Sequence, residues 1–222
     1  MIQSRGKRPA GWVLLAALGG PLQAVAAAPK APPVQPATSF AAVEVHPGDR
    51  LAIAAEPYDN KEKASLFQVN YLGHGVLPVR LIVSNLGDRP VSLREARILL
   101  ETAGGDRLRA AEPADVERRL TLGERQGATL ALPVPIPAIH FRPRASDRQV
   151  EQDFARFGYG ALVVEPHTTQ AGFLFFDVSG LDHPLAGARL GVYKLLMADG
   201  SELFSFSISL DKYLQSKSST MN

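Results

Sequence analysis

Phe204-Ser205-Phe206-Ser207-Ile208-Ser209-Leu210 alternates apolar and polar side chains without a break. Successive side chains of a strand point to opposite faces, so this spacing predicts a strand. Phe204, Phe206, Ile208 and Leu210 face a core, and the three serines face water. One dry face and one wet face is the habit of an antiparallel sheet.

Other stretches carry the same signal. Residues 77–84 (LPVRLIVS) alternate, with Val79, Leu81 and Val83 on one face. Asn85-Leu86-Gly87-Asp88-Arg89-Pro90 is a dense turn signal, since Gly supplies positive φ and Pro ends strand pairing. Val91 and Leu93 resume an apolar face that Ala96, Ile98 and Leu100 continue. Ala103-Gly104-Gly105-Asp106 makes a hairpin-like turn into Arg107-Leu108. Residues 172–178 (GFLFFDV) are apolar on both faces, which predicts a strand at a sheet centre or under another element. Residues 161–164 and 189–196 are further strand candidates, the latter followed by a turn at Ala198-Asp199-Gly200-Ser201.

Two short helices are predicted among these strands. Pro113 can occupy a first helical turn, with Asp115 and Glu117 early and Arg118 and Arg119 late, as the helix dipole prefers. Ser146 with Gln149 resembles a capping box, and Val150, Phe154 and Phe157 form one apolar stripe. Pro133, Pro135 and Pro137 exclude a central strand at residues 132–137, leaving an edge or an extended cover strip. Many short strands, frequent turns and little helix predict a mainly β domain: an immunoglobulin-like antiparallel β-sandwich with one or two short helices.

The N-terminus predicts an address. Arg5, Lys7 and Arg8 precede the apolar run at residues 12–18 (WVLLAAL); Gly19, Gly20 and Pro21 break it, and Ala24-Val25-Ala26 offers a small-x-small cleavage site. That is the plan of a secretory signal peptide, and the run is far shorter than the roughly 20 residues of a membrane span. The expected organisation is a signal peptide at 1–26, a Pro/Ala-rich extended linker at 27–42 (AAPKAPPVQPATSFAA), one domain at 43–214 and a polar tail at 215–222. The expected location is outside the cytoplasm, periplasmic or extracellular.

Cleavage changes the charge. The chain carries +2, but loss of the three basic residues of 1–26 leaves 21 Lys plus Arg against 22 Asp plus Glu, net −1. A basic balance that would suggest nucleic acid disappears with the signal. No cysteine is present, so stability is expected from packing rather than disulfides.

Two motifs carry a resemblance. Residues 81–91 (LIVSNLGDRPV) look like the strand–turn–strand of bacterial secreted immunoglobulin-like accessory domains. Residues 165–176 (EPHTTQAGFLFF) are similar to the later strand entry of that group, with His167 where Gly is usual. The resemblance implies the fold over about residues 43–214 and no particular activity.

The chemistry-bearing residues form no recognised catalytic pattern. His46, His74, His140, His167 and His183 make no H-x-H, H-x3-H or H-E-x-x-H, and no Cys completes a zinc set. No G-x-S-x-G elbow is present, and Gly73 and Gly75 lack the Lys-Ser/Thr of a phosphate loop. Asp177, Asp182 and His183 lie close in sequence, but two carboxylates fall short of the 6–8 oxygens that calcium takes. With Tyr58, set in the charged run 56–63, they are the candidate binding residues.

The expectation is a non-catalytic binding or structural domain of the cell envelope. It needs no cofactor or metal, and its partner is an envelope or secreted protein. A carbohydrate-binding module is the alternative and needs an exposed aromatic platform from Tyr58, Tyr71, Tyr159, Tyr193 or Tyr213. A hydrolase built from scattered acids stands behind both, and Glu165, His167, Asp177, Asp182 and His183 would have to converge around one pocket to supply it.

Overall fold

The computed structural model describes residues 30–126 and 145–220. The chain begins with β1 (Val43–His46), β2 (Leu51–Pro57), α1 (Lys61–Ala64) and β3 (Val76–Asn85). It continues through β4 (Val91–Ser92), β5 (Arg97–Glu101), β6 (Arg107–Arg109), α2 (Pro113–Gln126) and α3 (Ala145–Phe157). Then follow β7 (Val163–Val164), β8 (Thr169–Asp177), β9 (Arg189–Tyr193), β10 (Leu196–Met197), β11 (Phe206–Ser209) and α4 (Asp211–Thr220). The signal segment at 1–26, the proline strip at 132–137 and His140 lie outside the described residues.

Three open antiparallel sheets result, ordered β1-β2-β3-β8, β11-β9-β5-β6 and β10-β4-β7. Among the described residues the fold is therefore mixed α/β with four α-helices, and the expected immunoglobulin-like β-sandwich is overturned. The reason lies in β3, where every residue is buried. Leu77, Val79, Leu81 and Val83 share a core with Leu100 of β5, Leu190 and Val192 of β9, and Phe206 and Ile208 of β11. A sandwich strand would leave its other face wet. Here Ile82 packs with Ala37, Ala52 and Ala54. Val76 joins Phe173 and Phe175 of β8 beneath Val116 and Leu120 of α2 and Val150 and Phe157 of α3.

Within residues 27–42, read as an extended linker, Pro32, Pro33, Ala37 and Phe40 are seated on this second face, while Ala42 joins the first core. Ala37 is fully buried, and its N–H donates to Ser84 Oγ at 2.8 Å. Arg80, also on this face and 5% exposed, donates to the Pro32 and Pro33 carbonyls at 3.1 and 2.8 Å. Its guanidinium lies 3.8 Å from Glu56, the residue opposite it on β2. A charge that would be costly if buried alone is thus satisfied by two carbonyls and a carboxylate.

The helical side is built around an aromatic cluster and one carboxylate. The Phe67 ring meets Tyr71, Phe157 and Phe173 edge-on at centroid distances of 5.4, 5.6 and 5.0 Å. Such contacts favour the aromatic quadrupoles beyond simple area burial. Asp153 of α3, fully buried, accepts from the Gln68 and Val69 amides at 2.9 and 3.3 Å and from the Tyr71 hydroxyl at 3.2 Å. Burial raises its pKa, and these hydrogen bonds oppose the rise. The outer edge of β8 is covered by neighbouring backbone: Tyr159 donates to Phe173 O and Ala111 to Phe175 O, at 3.0 and 2.7 Å. Gly172 permits this approach, for a Cβ there would lie 2.5 Å from Tyr159 Cα.

Two of the four helices went unread in the sequence. α1 hides in the charged run, with Asn60 Oδ1 accepting from Lys63 N at its start. α4 occupies most of the expected tail and anchors to the domain through Tyr213, which is buried. Phe204 also departs from expectation. The strand begins at Phe206, and Phe204, ahead of it, is 79% exposed, while Phe206, Ile208 and Leu210 are buried. Among the described residues no helix is long and apolar enough to cross a membrane.

Two expected outcomes follow from this packing. Phe206→Ala should lower unfolding free energy by about 3–5 kcal/mol, as a buried large-to-small change. Phe204→Ala should stay within about 0.5 kcal/mol. Denaturant titration checks the pair, and equal losses would contradict the observed faces. Asp153→Ala should cost about 3 kcal/mol, since it strands buried donors. The pH dependence has a definite sign. A carboxyl whose native pKa is raised holds its proton more tightly when folded, so its contribution is full at low pH and is lost as pH rises through the native pKa. The stability of the protein relative to Asp153→Asn should therefore be greatest below the ordinary carboxylate range and decline above it.

Candidate functional site

The sheet β11-β9-β5-β6 has one face on the core and one in water. Leu100, Leu190, Val192, Phe206 and Ile208 face inward. Strand alternation then turns Arg97, Leu99 and Glu101 outward on β5, Arg107 and Arg109 on β6, Arg189, Gly191 and Tyr193 on β9, and Ser207 on β11. The register sets these side chains in rows: Arg97 beside Tyr193, Arg109 beside Leu99 beside Gly191, and Arg107 beside Glu101 beside Arg189.

Four guanidinium groups therefore share a face with one carboxylate. That carboxylate is already engaged, for Tyr193 donates to Glu101 Oε1 at 2.9 Å and Arg107 Nε lies 3.4 Å from the same oxygen. Burial, then the Glu101 hydrogen bond and charge, raise the Tyr193 pKa. Arg97, Arg109 and Arg189 are exposed, and no carboxylate among the described residues lies within ion-pair distance of them. Gly191 keeps the face flat: a Cβ there would meet the Tyr193 ring and hydroxyl at 2.6 Å, so the ring lies across the glycine.

A groove opens at one margin. β6 leaves the sheet after Arg109, and Ala110 bridges instead to Phe176 of the neighbouring sheet. The departing chain and β5 enclose about 680 Å³, with Arg97, Arg107 and Arg109 among the lining and Ile98, Leu99, Ala110 and Leu174 as apolar surface. A guanidinium fork over apolar ground binds carboxylate or another oxyanion in a planar, bidentate way.

The densest group of titratable side chains lies elsewhere. Lys63 Nζ donates to Glu56 at 2.9 Å, the Tyr213 hydroxyl donates to Asp59 at 2.7 Å, and Lys217 donates to the other Asp59 oxygen at 2.9 Å. Burial and then Asp59 raise the Tyr213 pKa. These groups are committed to one another, and they fasten α4 to the end of β2 and to α1.

The expected binding residues occupy four settings. Tyr58 is buried in the aromatic cluster, 4.6 Å from Phe173 and edge-on, and burial pushes its hydroxyl up to about 12. Asp177 ends β8, where it accepts from Ser179 N at 3.0 Å, and Arg119 lies 3.8 Å away. Asp182 is exposed in the following loop. His183, with φ of 50°, lines a mostly apolar cleft of about 350 Å³ with Asp59, Leu77 and Leu214. Glu165 is exposed, and His167 lies 2.9 Å from Asp88. Among the described residues no three His, Cys, Asp or Glu side chains gather as a metal site.

Sequence reasoning missed the arginine face. Its signal was present as basic residues at alternate positions, Arg107 and Arg109 around Leu108 and Arg97 two before Leu99. Only the pairing of β5 with both β6 and β9 brings Arg189 and Tyr193 to the same surface.

Compared with protein-family models, curated proteins and solved structures, this chain matches none.

Proposed function

We propose that this chain is an exported binding domain of the cell envelope, acting by docking a protein partner rather than by catalysis. The observation that carries this reading is the outward face of β11-β9-β5-β6, where Arg97, Arg109 and Arg189 stand exposed without an ion-pair partner among the described residues. Arginine is enriched at protein interfaces because its planar fork forms directional hydrogen bonds there. The basic start, short apolar run and Ala24-Val25-Ala26 site of the N-terminus support export.

A carbohydrate-binding reading draws on Tyr193, the tyrosine that lies on this face. Tyr58, Tyr71 and Tyr213 are buried, and the Tyr159 hydroxyl is enclosed. One ring hydrogen-bonded to Glu101 offers less than the row of rings that a sugar platform uses, so the protein partner is favoured.

Expression of the full chain in bacteria tests both parts. Intact mass of the exported protein should show Ala27 as the first residue, and retention of Met1 on exported protein would contradict the signal reading. A photo-reactive benzoylphenylalanine placed at Leu99 or Ser207 should yield a cross-linked protein of defined mass. The same group at Ser65, exposed beside α1, should not. Equal labelling from all three positions would contradict docking through the sheet face.

A further inference from the structure

We infer that the groove between β5 and the departing end of β6 receives an acidic, extended segment of a partner protein, with apolar side chains set between its carboxylates. This rests on the docking reading above and names the chemistry of the partner. The groove combines two features that a single class of ligand satisfies together. Arg97, Arg107 and Arg109 line it, and Glu101, the carboxylate nearest Arg107, is held by the Tyr193 hydroxyl. Arg107 pairs with Glu101, whereas Arg97 and Arg109 have no ion-pair partner among the described residues and can meet anionic groups of a ligand. Ile98, Leu99, Ala110 and Leu174 supply apolar surface in the same groove. An aliphatic side chain can bury against that surface, whereas a sulfated or uronic-acid glycan carries charge but no such side chain.

The spacing fits an extended peptide. Arg107 and Arg109 are two residues apart on one strand, so they project to the same face about 6.6 Å apart. Alternate residues of an extended segment repeat at the same interval, which lets successive carboxylates meet successive guanidiniums. The mature chain has a net charge near −1, so this basic face is a local feature rather than a consequence of overall charge.

Fluorescence anisotropy with four labelled probes tests the inference on the folded protein. The probes are an octapeptide alternating Glu and Leu, one alternating Glu and Ser, one alternating Lys and Leu, and a heparin-derived oligosaccharide. The Glu/Leu peptide should bind best, and raising salt from about 50 to about 500 mM should weaken it, because exposed charges are screened. Arg97→Glu with Arg109→Glu should weaken it by at least about tenfold. Arg97→Lys with Arg109→Lys keeps the charge but loses the fork, and should give a smaller loss. This second variant serves if charge reversal impairs folding, as judged by thermal unfolding. Affinity unchanged in both variants, or no binding of the Glu/Leu peptide, overturns the inference. So does a heparin fragment or the Glu/Ser peptide binding as tightly as Glu/Leu. Cross-links from Leu99 and Ser207 that persist after Arg97→Glu and Arg109→Glu would leave the docking face standing while removing the acidic partner.

Discussion

The rest of the structure depends on the burial of β3 on both faces. Ten consecutive residues, Val76–Asn85, are all removed from water, and three of its side chains, Arg80, Ser84 and Asn85, are polar groups that need partners there. A strand in this position must have a layer on each side. One layer is the β11-β9-β5-β6 sheet, packed through Val79, Leu81 and Val83. The other is assembled from three distant parts of the chain: residues 32–40, the aromatic segment at 58–71 and the helices α2 and α3. Arg80 links the first of these to the sheet by donating to two proline carbonyls. Asp153 links the second to the third by accepting from the Gln68 and Val69 amides.

This arrangement divides the labour between the sheets. The inner strands of the central sheet, β2 and β3, are enclosed on both faces, and their titratable neighbours Glu56, Asp59, Lys63 and Tyr213 are bound to one another near the α4 end. The outer sheet packs only one face against the core. Its wet face is free to carry charge, and the arginines of β5, β6 and β9 use it. Tyr193 both covers Gly191 and donates to Glu101, which it shares with Arg107.

Much of the local structure was legible. The alternation of Phe206, Ile208 and Leu210 against serines marks β11 and its dry face, because period two leaves no freedom once one face is buried. The hairpin at 102–106 and the helix beginning at Pro113 follow from turn and helix-start chemistry, and the stripe of Val150, Phe154 and Phe157 marks α3. Ser146, however, lies inside that helix, and its hydroxyl donates to Asp147 rather than forming the expected capping box. The layering was not legible. Arg80 and Ser84 are polar letters at alternate positions, and nothing local reveals that the Pro32 and Pro33 carbonyls and the Ala37 amide satisfy them. Phe204 shows the opposite error, as an apolar letter that continues the pattern beyond the end of the strand. The arginine face failed for the same reason as the layering: Arg97 meets Tyr193, and Arg189 meets Glu101, only through strand pairing across some ninety positions.

Native-state hydrogen exchange tests the account most directly. If β3 is enclosed by both layers, the amides of Val79, Leu81 and Val83 should exchange only through global unfolding. Edge amides in β1 and β6 should open locally and faster. Exchange of the β3 amides at the rate of the β1 edge, while α3 amides stay protected, would contradict the claim that both layers close on this strand.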